Sequence, residues 1–350
     1  MSASQNQRYR IFITSPLEPE HVERIRAVDP ERLEVVYEPD LLPPTRYRGD
    51  HVGQPFTRGA DQERRWREAL ASAEIFFDLP RRREDVAIAA HLQWIQTTST
   101  GVGQSIKALG LQFAQVLVTT ARGVHAGPLA EFVFMALLAH WRGLAHLEAE
   151  QRRQAWVRYC GEEVAGRRIA IIGAGDLARG IAQRARAFEM TSVAIPRHPE
   201  KLRAHDTLFD AVRPVSELHA ALAEADATVV TVPHTPETER LVDDAAFAAM
   251  KPGSAFVNIA RGQVIDEDAL IRHLASGHIG YAALDVATIE PLHPKSSLWD
   301  MPNVLISPHS ASTVTSENAK ITEIFCWNLR CWLDGERNQM RNILDKALMY

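Results

Sequence analysis

The sequence is poor in the features that mark secreted, membrane-spanning and nucleic-acid-binding proteins. Three cysteines in 350 residues are too few and too scattered for a disulfide framework or a zinc site, so we predict no metal and favour a reduced, cytoplasmic setting. No run approaches the roughly 20 apolar residues of a transmembrane helix, and residues 1–10 lack the apolar core of a signal peptide. The formal net charge of -5 argues against a general nucleic-acid binder.

Alternating strand and helix patterns organise the chain into two αβ series. The composition, 46% hydrophobic and 24% charged, is that of a globular protein long enough for two domains. In the first series the predicted strands cover residues 10–14, 33–37, 73–78, 92–97 and 115–119. In the second they cover residues 168–172, 191–195, 227–232, 255–259, 280–285 and 304–307. This alternation predicts parallel βαβ units, and the polar segment 43–61, rich in Gly, Pro and Arg, predicts an inserted surface loop.

A long helical pattern at residues 127–153 joins the two series. It is too apolar for a helix surrounded by water, so we expect it to be buried against the other domain or a second subunit. We therefore predict a homodimer formed through residues 129–141, because an apolar surface of that size would otherwise promote aggregation. The last helical pattern, at 315–333, is predicted to pack back on the first domain, with Cys326 and Cys331 as buried thiols.

A glycine-rich turn opens the second series. The sequence Gly173-Ala174-Gly175-Asp176-Leu177-Ala178 follows a predicted strand and precedes a helical pattern. In a G-x-G-x-x-A turn the first glycine allows the tight bend, the second lets the backbone approach a pyrophosphate, and the small third residue lets helix and strand pack closely. The phosphates would lie at the amino terminus of the helix. We therefore predict a dinucleotide site.

The acid that usually selects NAD(H) is missing from the end of the next strand. About 20 residues after the glycine turn, where a carboxylate would bind the ribose 2′-hydroxyl, the chain has Pro196 and Arg197. A guanidinium at this place could hold a 2′-phosphate, although an exposed turn arginine is the simpler interpretation. We favour NADP(H) over NAD(H) as the cofactor.

Three ionisable residues after predicted strands point to the chemistry. Arg261 projects from the end of the strand at 255–259, and Glu290 and His309 follow it by 29 and 48 residues. A guanidinium can hold the carboxylate of a 2-oxo acid and polarise the neighbouring carbonyl. Histidine titrates near neutrality and is a natural proton donor, and an adjacent carboxylate would stabilise its charged form. A dinucleotide site followed by this triad predicts hydride transfer to and from a 2-oxo acid.

With these residues, the chain resembles the D-isomer-specific 2-hydroxyacid dehydrogenase family over nearly its whole length. The resemblance rests on residues 173–178, 233–238 and 257–262, on Asp285 ahead of Glu290-Pro291, and on Ser307-Pro308-His309. The phrases at 122–126 and at Ala130-Glu131 are most similar to the branch that holds glyoxylate and hydroxypyruvate reductases. The resemblance implies an NAD(P)-dependent reductase of a small 2-oxo acid, such as glyoxylate or hydroxypyruvate.

The resemblance also implies the residues of the site. Arg261, Glu290 and His309 are the expected catalytic residues. The expected substrate-binding loop contributes Thr100, Gly101 and Val102, although Gly103 stands where the family often has an acid. Asp285 is similar to the family residue that contacts the nicotinamide or its ribose. The expected cofactor-binding residues are Gly173, Gly175, Asp176, Leu177, Arg197, Val232, Pro233, Thr238, Ile259, Ala260, Asp285 and Ser310.

We therefore expect an α/β protein with two doubly wound parallel-sheet domains. A Rossmann nucleotide-binding domain at residues 123–312 would be inserted into a discontinuous, flavodoxin-like substrate domain at 1–122 and 313–350. Two alternatives stay open. Another enzyme of the same fold is one, although formate dehydrogenases of this family have a glutamine where this chain has Glu290. A non-catalytic dinucleotide-sensing regulator, similar to the corepressors of this fold, is the other.

Overall fold

The structure is a computed structural model that describes residues 8–202 and 207–347. The chain divides into two compact units. Unit 1 comprises Met1–Val124 and Thr313–Tyr350, and unit 2 comprises His125–Ser312. Each unit contains one sheet, in which the paired strands run parallel.

Unit 1 is built on a five-stranded sheet with the order β2-β1-β3-β4-β5. This is the flavodoxin-like strand order, so the predicted fold of the first domain is confirmed. Three of its strands begin two residues later and three end one residue earlier than the sequence pattern indicated, and the first strand is shifted by one residue. Its first nine elements are β1 (Tyr9–Ile13), α1 (Pro19–Arg26), β2 (Leu33–Val36), α2 (Ala60–Ser72), β3 (Ile75–Phe77), α3 (Arg83–Ile88), β4 (Trp94–Gln96), α4 (Gly103–Ala108) and β5 (Leu117–Thr119).

Unit 2 is built on a seven-stranded sheet with the order β12-β11-β10-β9-β6-β7-β8. Counted from β6, its first strand, this is the Rossmann order with one further strand, so the Rossmann prediction is also confirmed. Its helices are α5 (Ala126–Trp141), α6 (Leu144–Arg152), α7 (Asp176–Ala187), α8 (Leu218–Ala223), α9 (Asp244–Ala249) and α10 (Glu267–Ala275). Its strands are β6 (Arg168–Ile172), β7 (Thr191–Ile195), β8 (Ala211–Val212), β9 (Ala227–Val230), β10 (Ser254–Asn258), β11 (Ile279–Leu284) and β12 (Val304–Ile306).

Both sheets bury both faces, as parallel sheets do. In β6, Ile169 and Ile171 pack into one core cluster, and Ala170 and Ile172 pack into another on the opposite face. The period of two in a strand produces this separation. The last helix, α11 (Glu317–Leu333), returns to unit 1 and packs against α1, with Cys326 and Cys331 buried as predicted.

The segment after α11 covers the edge of the sheet of unit 1. Ile343 forms an antiparallel bridge with Thr119 of β5, and the Leu344 N–H donates to the Val118 carbonyl at 2.9 Å. Lys346 then donates from Nζ to three carbonyls, at 2.6 to 3.0 Å, and burial lowers the pKa of its ammonium. The three carbonyls belong to Leu111, Ala114 and Val116.

The long apolar helix predicted at 127–153 is two helices, because the chain turns at Gly143, which has a left-handed φ of 68°. Most apolar side chains of α5 lie in the core of unit 2, where they pack with β6 and α7, but Met135 is 51% exposed. Gly180 of α7 permits this contact, since a Cβ there would lie 3.2 Å from the Ala126 carbonyl oxygen. Much of this apolar helix is therefore buried within its own unit, and the expected burial of the rest against another domain or a second subunit stays a prediction.

Short 3-10 helices complete the described part of the chain. They lie at Pro39–Leu41, Pro199–Lys201, Val215–Glu217, Gly262–Val264, Ser297–Asp300 and Arg337–Gln339. None of the helices in residues 8–202 and 207–347 combines the length and apolar composition that a bilayer crossing requires.

Candidate active site

The register of the sheet in unit 2 aligns the carboxyl ends of six strands. Their final residues form one row across the sheet: Ile195, Ile172, Val230, Asn258, Leu284 and Ile306. Ligands of open α/β sheets bind beyond this edge, where the strand order reverses. In unit 2 the reversal occurs at β6, and most of the site residues predicted in this unit lie in the loops that begin at this row.

The turn after β6 fits a dinucleotide phosphate. Gly173 has a φ of 119°, and a Cβ there would lie 2.4 Å from the Thr231 hydroxyl oxygen, so only glycine fits. Gly175 is the N-cap of α7, and a Cβ there would meet nothing within 4 Å. The space beside Gly175, immediately before the first turn of α7 with Asp176 and Leu177, is therefore open. Backbone N–H groups and the helix dipole make such a terminus suitable for a phosphate.

The loop after β9 closes on itself through a threonine. The Thr238 hydroxyl donates to the Pro233 carbonyl at 2.6 Å and accepts from the Thr235 N–H at 2.7 Å. Thr238, expected from the resemblance to bind the cofactor, thus holds the shape of the loop that carries Val232 and Pro233. At the tip of this loop, the Glu237 carboxylate lies 3.6 Å from the guanidinium of Arg197.

A buried asparagine fixes the turn that carries Arg261. The Asn258 side chain, with no exposed surface, accepts from the Ala260 N–H and donates to the Arg261 carbonyl, both at 3.1 Å. The Arg261 guanidinium donates to the Ala260 carbonyl at 2.6 Å. Ile259 and Ala260 are buried, and Arg261 is partly exposed. Asn258 was not among the residues expected from the sequence, although a polar residue at the end of an apolar strand was the available signal.

The loops of Arg261 and Glu290 touch through their backbones. A Cβ on Gly262 would lie 2.0 Å from the carbonyl atoms of Ala287 and 2.3 Å from the nitrogen of Thr288. The same loop also holds the glutamate, because the Ala287 N–H donates to Glu290 Oε1 at 3.2 Å. Gly262 therefore sets the distance between the arginine turn and the glutamate loop.

Glu290 and His309 are in direct contact. Glu290 Oε2 lies 2.8 Å from His309 Nδ1, so the carboxylate accepts the proton on that nitrogen and leaves Nε2 on the other side of the ring. About 39% of the Glu290 side chain and 46% of the His309 side chain are exposed, so both groups are accessible to a ligand. His309 has a φ of 55°, a left-handed conformation that is uncommon for a residue with a side chain.

Asp285 holds the histidine turn in that conformation. Its buried Oδ1 accepts from the Ser307 hydroxyl at 2.6 Å, the Ser310 N–H at 2.8 Å and the Ala311 N–H at 2.9 Å. Its carbonyl accepts from the His309 N–H at 2.8 Å. Burial raises the pKa of the Asp285 carboxyl, against the opposing effect of these donors. Asp285 and Ser310, predicted as cofactor residues, therefore also build the turn that presents the histidine.

The predicted substrate loop belongs to unit 1, between β4 and α4. The Thr97 hydroxyl donates to the Ser99 carbonyl at 2.7 Å, which shapes the loop. Thr100 and Gly101 are exposed. Val102 is buried, and its N–H donates to the Thr100 carbonyl at 3.2 Å, so its side chain contributes to the core.

Known proteins share this sequence and fold. The chain is 33% identical over 230 residues to a glyoxylate reductase of Thermococcus gammatolerans, covering 63% of this chain and 67% of that protein. It is 33% identical over 236 residues to an (S)-sulfolactate dehydrogenase of Chromohalobacter salexigens, covering 66% and 74%. A D-isomer specific 2-hydroxyacid dehydrogenase of Xanthobacter autotrophicus, solved in complex with NADPH and MES, superposes with a TM-score of 0.76 at 26% identity over 98% and 100% of the two chains.

A family model also matches the chain. It describes the NAD binding domain of D-isomer specific 2-hydroxyacid dehydrogenases and matches residues 134–311, just over half of the chain. The predicted nicotinamide dinucleotide cofactor and the predicted enzyme class are thereby confirmed, and the alternative of a non-catalytic regulator has no support among these relatives. The chain belongs to the D-isomer specific 2-hydroxyacid dehydrogenase family and is an NAD(P)-dependent oxidoreductase of 2-hydroxy acids.

Proposed function

We propose that this enzyme reduces a small 2-oxo acid, glyoxylate, hydroxypyruvate or an acid of similar size, to the D-2-hydroxy acid. The observation that carries the proposal is the 2.8 Å contact between Glu290 and His309 Nδ1. It lies at the same sheet edge as the arginine turn and the glycine turn. In this proposal residues 123–312 bind the nucleotide, and residues 1–122 with 313–350 supply the substrate loop.

Arg261 anchors and polarises the substrate. Its planar fork of N–H donors matches a carboxylate and can also reach the neighbouring carbonyl oxygen. The turn that carries it is closed by Asn258, so the guanidinium starts from a fixed backbone. In unit 1, Thr100 and Gly101 are exposed, and we propose that their loop binds the substrate.

His309 supplies the proton. A bound reduced nicotinamide would supply the hydride for the carbonyl carbon of the substrate. The oxygen then gains charge, and His309 Nε2 donates a proton to it. Glu290 holds the Nδ1 proton, fixes the ring orientation and stabilises the imidazolium from which the proton is given. In the reverse direction the same nitrogen accepts the hydroxyl proton.

The cofactor is proposed to lie along the row of strand ends. Gly173 and Gly175, with the first turn of α7, would hold the pyrophosphate, and Val232 and Pro233 would line the next loop. The exposed Arg197 would hold a 2′-phosphate, and we therefore propose a modest preference for NADPH. The Xanthobacter relative was solved with NADPH, which supports this order of preference.

The exact substrate is open to experiment because relatives at the same identity carry different names. One is a glyoxylate reductase and the other an (S)-sulfolactate dehydrogenase. Both names describe 2-oxo or 2-hydroxy acids, and the two acids differ in the substituent on the reacting carbon. The names of the relatives therefore support a 2-oxo or 2-hydroxy acid as the reacting group of the substrate, but they do not agree on the rest of the substrate.

We also propose a homodimer. The contact is proposed near residues 129–141, where Met135 of α5 is 51% exposed, and the neighbouring α6 and the segment after it also expose apolar side chains. Leu144 and Leu147 are 47% and 46% exposed, and Trp156 is fully exposed. A second subunit would remove this apolar surface from water.

A screen of 2-oxo acids with NADPH and NADH tests the proposed function. Wild-type enzyme should turn over a small 2-oxo acid, and His309→Ala should lower kcat about 100-fold or more, the usual scale for losing a positioned proton donor. Arg261→Lys should raise KM and lower kcat, because an ammonium has no bidentate fork. Arg240, exposed and paired with Asp266, provides the control substitution Arg240→Lys. Absence of turnover, or a His309 variant with near-full rate, would refute the proposal.

A further inference from the structure

The structure places a carboxylate beside Arg197, although the end of β7 carries no acid. The position at the end of β7 is Pro196, which cannot accept a hydrogen bond from a ribose through a side chain. The Glu237 carboxylate, 40 residues further along the chain, lies 3.6 Å from the Arg197 guanidinium. We propose that these two residues form a cofactor selector, a pair of side chains that sets the preference between NADPH and NADH. Arg197 binds the 2′-phosphate of NADPH, and Glu237 accepts a hydrogen bond from the 2′-hydroxyl of NADH. This inference rests on the proposed nucleotide site.

The two side chains reach the same place from opposite sides of the central strand. Arg197 follows the last residue of β7 by two positions, and Glu237 belongs to the loop after β9. Strand β6 lies between β7 and β9, and its glycine turn begins at Gly173. The pair therefore spans the point where the strand order reverses, which is where a dinucleotide binds in this fold.

The loop of Glu237 is held in shape from within. Thr238, the next residue, bonds to the Pro233 carbonyl and to the Thr235 N–H. The Thr235 side chain, a backbone donor and Arg197 together lower the pKa of the Glu237 carboxyl. The carboxylate is thus ionised at neutral pH and presented by a closed turn rather than by a free loop.

The ion pair is weak enough to open for either cofactor. About 45% of the Arg197 side chain and 64% of the Glu237 side chain are exposed, and exposed pairs of this kind contribute little to stability. A 2′-phosphate carries a charge of about -1.5 to -2 at neutral pH, so it attracts Arg197 and is repelled by Glu237. A 2′-hydroxyl carries no charge, but it can donate to the carboxylate. The two residues therefore act in opposite directions on the NADPH to NADH ratio.

The test compares kcat/KM for NADPH and NADH in wild type, Arg197→Ala, Glu237→Gln and the double variant. Glu237→Gln should raise the NADPH to NADH ratio about 10-fold, because it removes a repulsive charge and a charged acceptor. Arg197→Ala should lower the same ratio by about 10-fold or more. In the Arg197→Ala background, Glu237→Gln should have a smaller effect, because only the loss of the repulsive charge and of the acceptor remains, and the gain from freeing Arg197 for the 2′-phosphate is absent.

Glu239→Gln is the matched control. Glu239 lies in the same loop and its loss changes the net charge equally, but it contacts His234 instead of Arg197. The NADPH to NADH ratio of kcat/KM in Glu239→Gln should stay within about 2-fold of that of wild type if only the contact with Arg197 matters. Dissociation constants of NADPH and NADH without substrate give a second readout that does not depend on turnover. Melting temperatures of all variants should match wild type, since the pair is exposed.

The outcomes separate the selector from the proposed function. Binding of both nucleotides, with a Glu237→Gln ratio equal to that of wild type or of Glu239→Gln, would overturn the selector and leave the function standing. A wild type that binds neither nucleotide would overturn both. Opposite shifts in the two single variants, with a reduced effect in the double variant, would establish the selector.

Discussion

Substitution of Gly262 by alanine would probe the backbone contact that joins the arginine turn to the glutamate loop. The new Cβ would lie 2.0 Å from Ala287 carbonyl atoms and 2.3 Å from the Thr288 nitrogen. Atoms of this kind are normally about 3.5 Å or more apart, so the loop would have to move by more than about 1 Å. The Ala287 N–H that holds Glu290 would move with it.

That displacement determines the expected loss of activity and the expected loss of stability. A misplacement of about 1 Å in a catalytic site can cost about 100-fold, so kcat/KM should fall by about that factor. Overpacking costs about 1–3 kcal/mol, and in a domain of 150–250 residues each kcal/mol lowers Tm by about 2–4 °C. Unit 2 should therefore melt about 2–12 °C lower.

The assays are steady-state kinetics and calorimetry, with Gly127→Ala as the control. A Cβ on Gly127 would meet its nearest neighbour, Arg184 Nη2, at an ordinary 3.8 Å, and alanine favours the helix α5 in which this residue lies. The control should keep its activity and its Tm. A Gly262→Ala enzyme with wild-type kcat/KM and Tm would refute the idea that this contact positions Glu290.

Asn258→Ala should raise KM for the 2-oxo acid about 10-fold, with a smaller loss of kcat, because the buried amide positions the arginine proposed to anchor the substrate. The control is Asn303→Ala, since Asn303 donates to the Leu274 carbonyl at 3.3 Å and does not contact the arginine turn. Equal kinetics in the two variants would contradict this role. For Asp285, burial raises the folded-state pKa above its unfolded value, so the folded protein binds this proton more tightly and wild-type stability falls as pH rises through that window. Asp285→Asn lacks this loss, so its Tm relative to wild type should increase between pH 4 and pH 7, and a difference that does not change with pH would argue against it. Leu147→Asp should convert a dimer to a monomer in sedimentation velocity, whereas the same substitution at Phe113, a 90% exposed residue of unit 1, should not. A wild-type monomer at micromolar concentration would exclude the dimer.

The sequence predicted the fold well because strand and helix periods repeat along both series. Each strand of the two sheets except β8 was predicted, since a buried parallel strand is a continuous apolar run. Strand β8, Ala211–Val212, has only two residues and both are exposed, so it leaves no apolar signal. The end of α5 near Gly143 could have been predicted, because glycine often ends a helix. The helical pattern on both sides of Gly143 instead indicated one continuous helix.

The candidate site could be proposed from the chemistry of its residues, but the contacts that support those residues could not be predicted. The sequence alone identifies the reactive groups of Arg261, Glu290 and His309, because their reactivity follows from the residue type. The role of Asn258 depends on two backbone groups that only the folded turn brings to it. Glu237 is a similar case, because no spacing rule connects it to Arg197, and only the position of β6 between β7 and β9 brings them together. Contacts of this kind depend on strand order, which local patterns do not specify.

The segment that covers β5 has a consequence for solubility. An uncovered edge strand presents free N–H and C=O groups that can pair with another chain. Here Ile343 and Leu344 occupy those groups, and the ammonium of Lys346 binds three carbonyls beside them. Removing residues 342–350 should therefore expose a template for intermolecular pairing, and light scattering should show aggregation that grows with protein concentration. A shortened protein that stays monodisperse would show that this edge needs no cover, and expression tags placed directly after Lys346 would then be harmless.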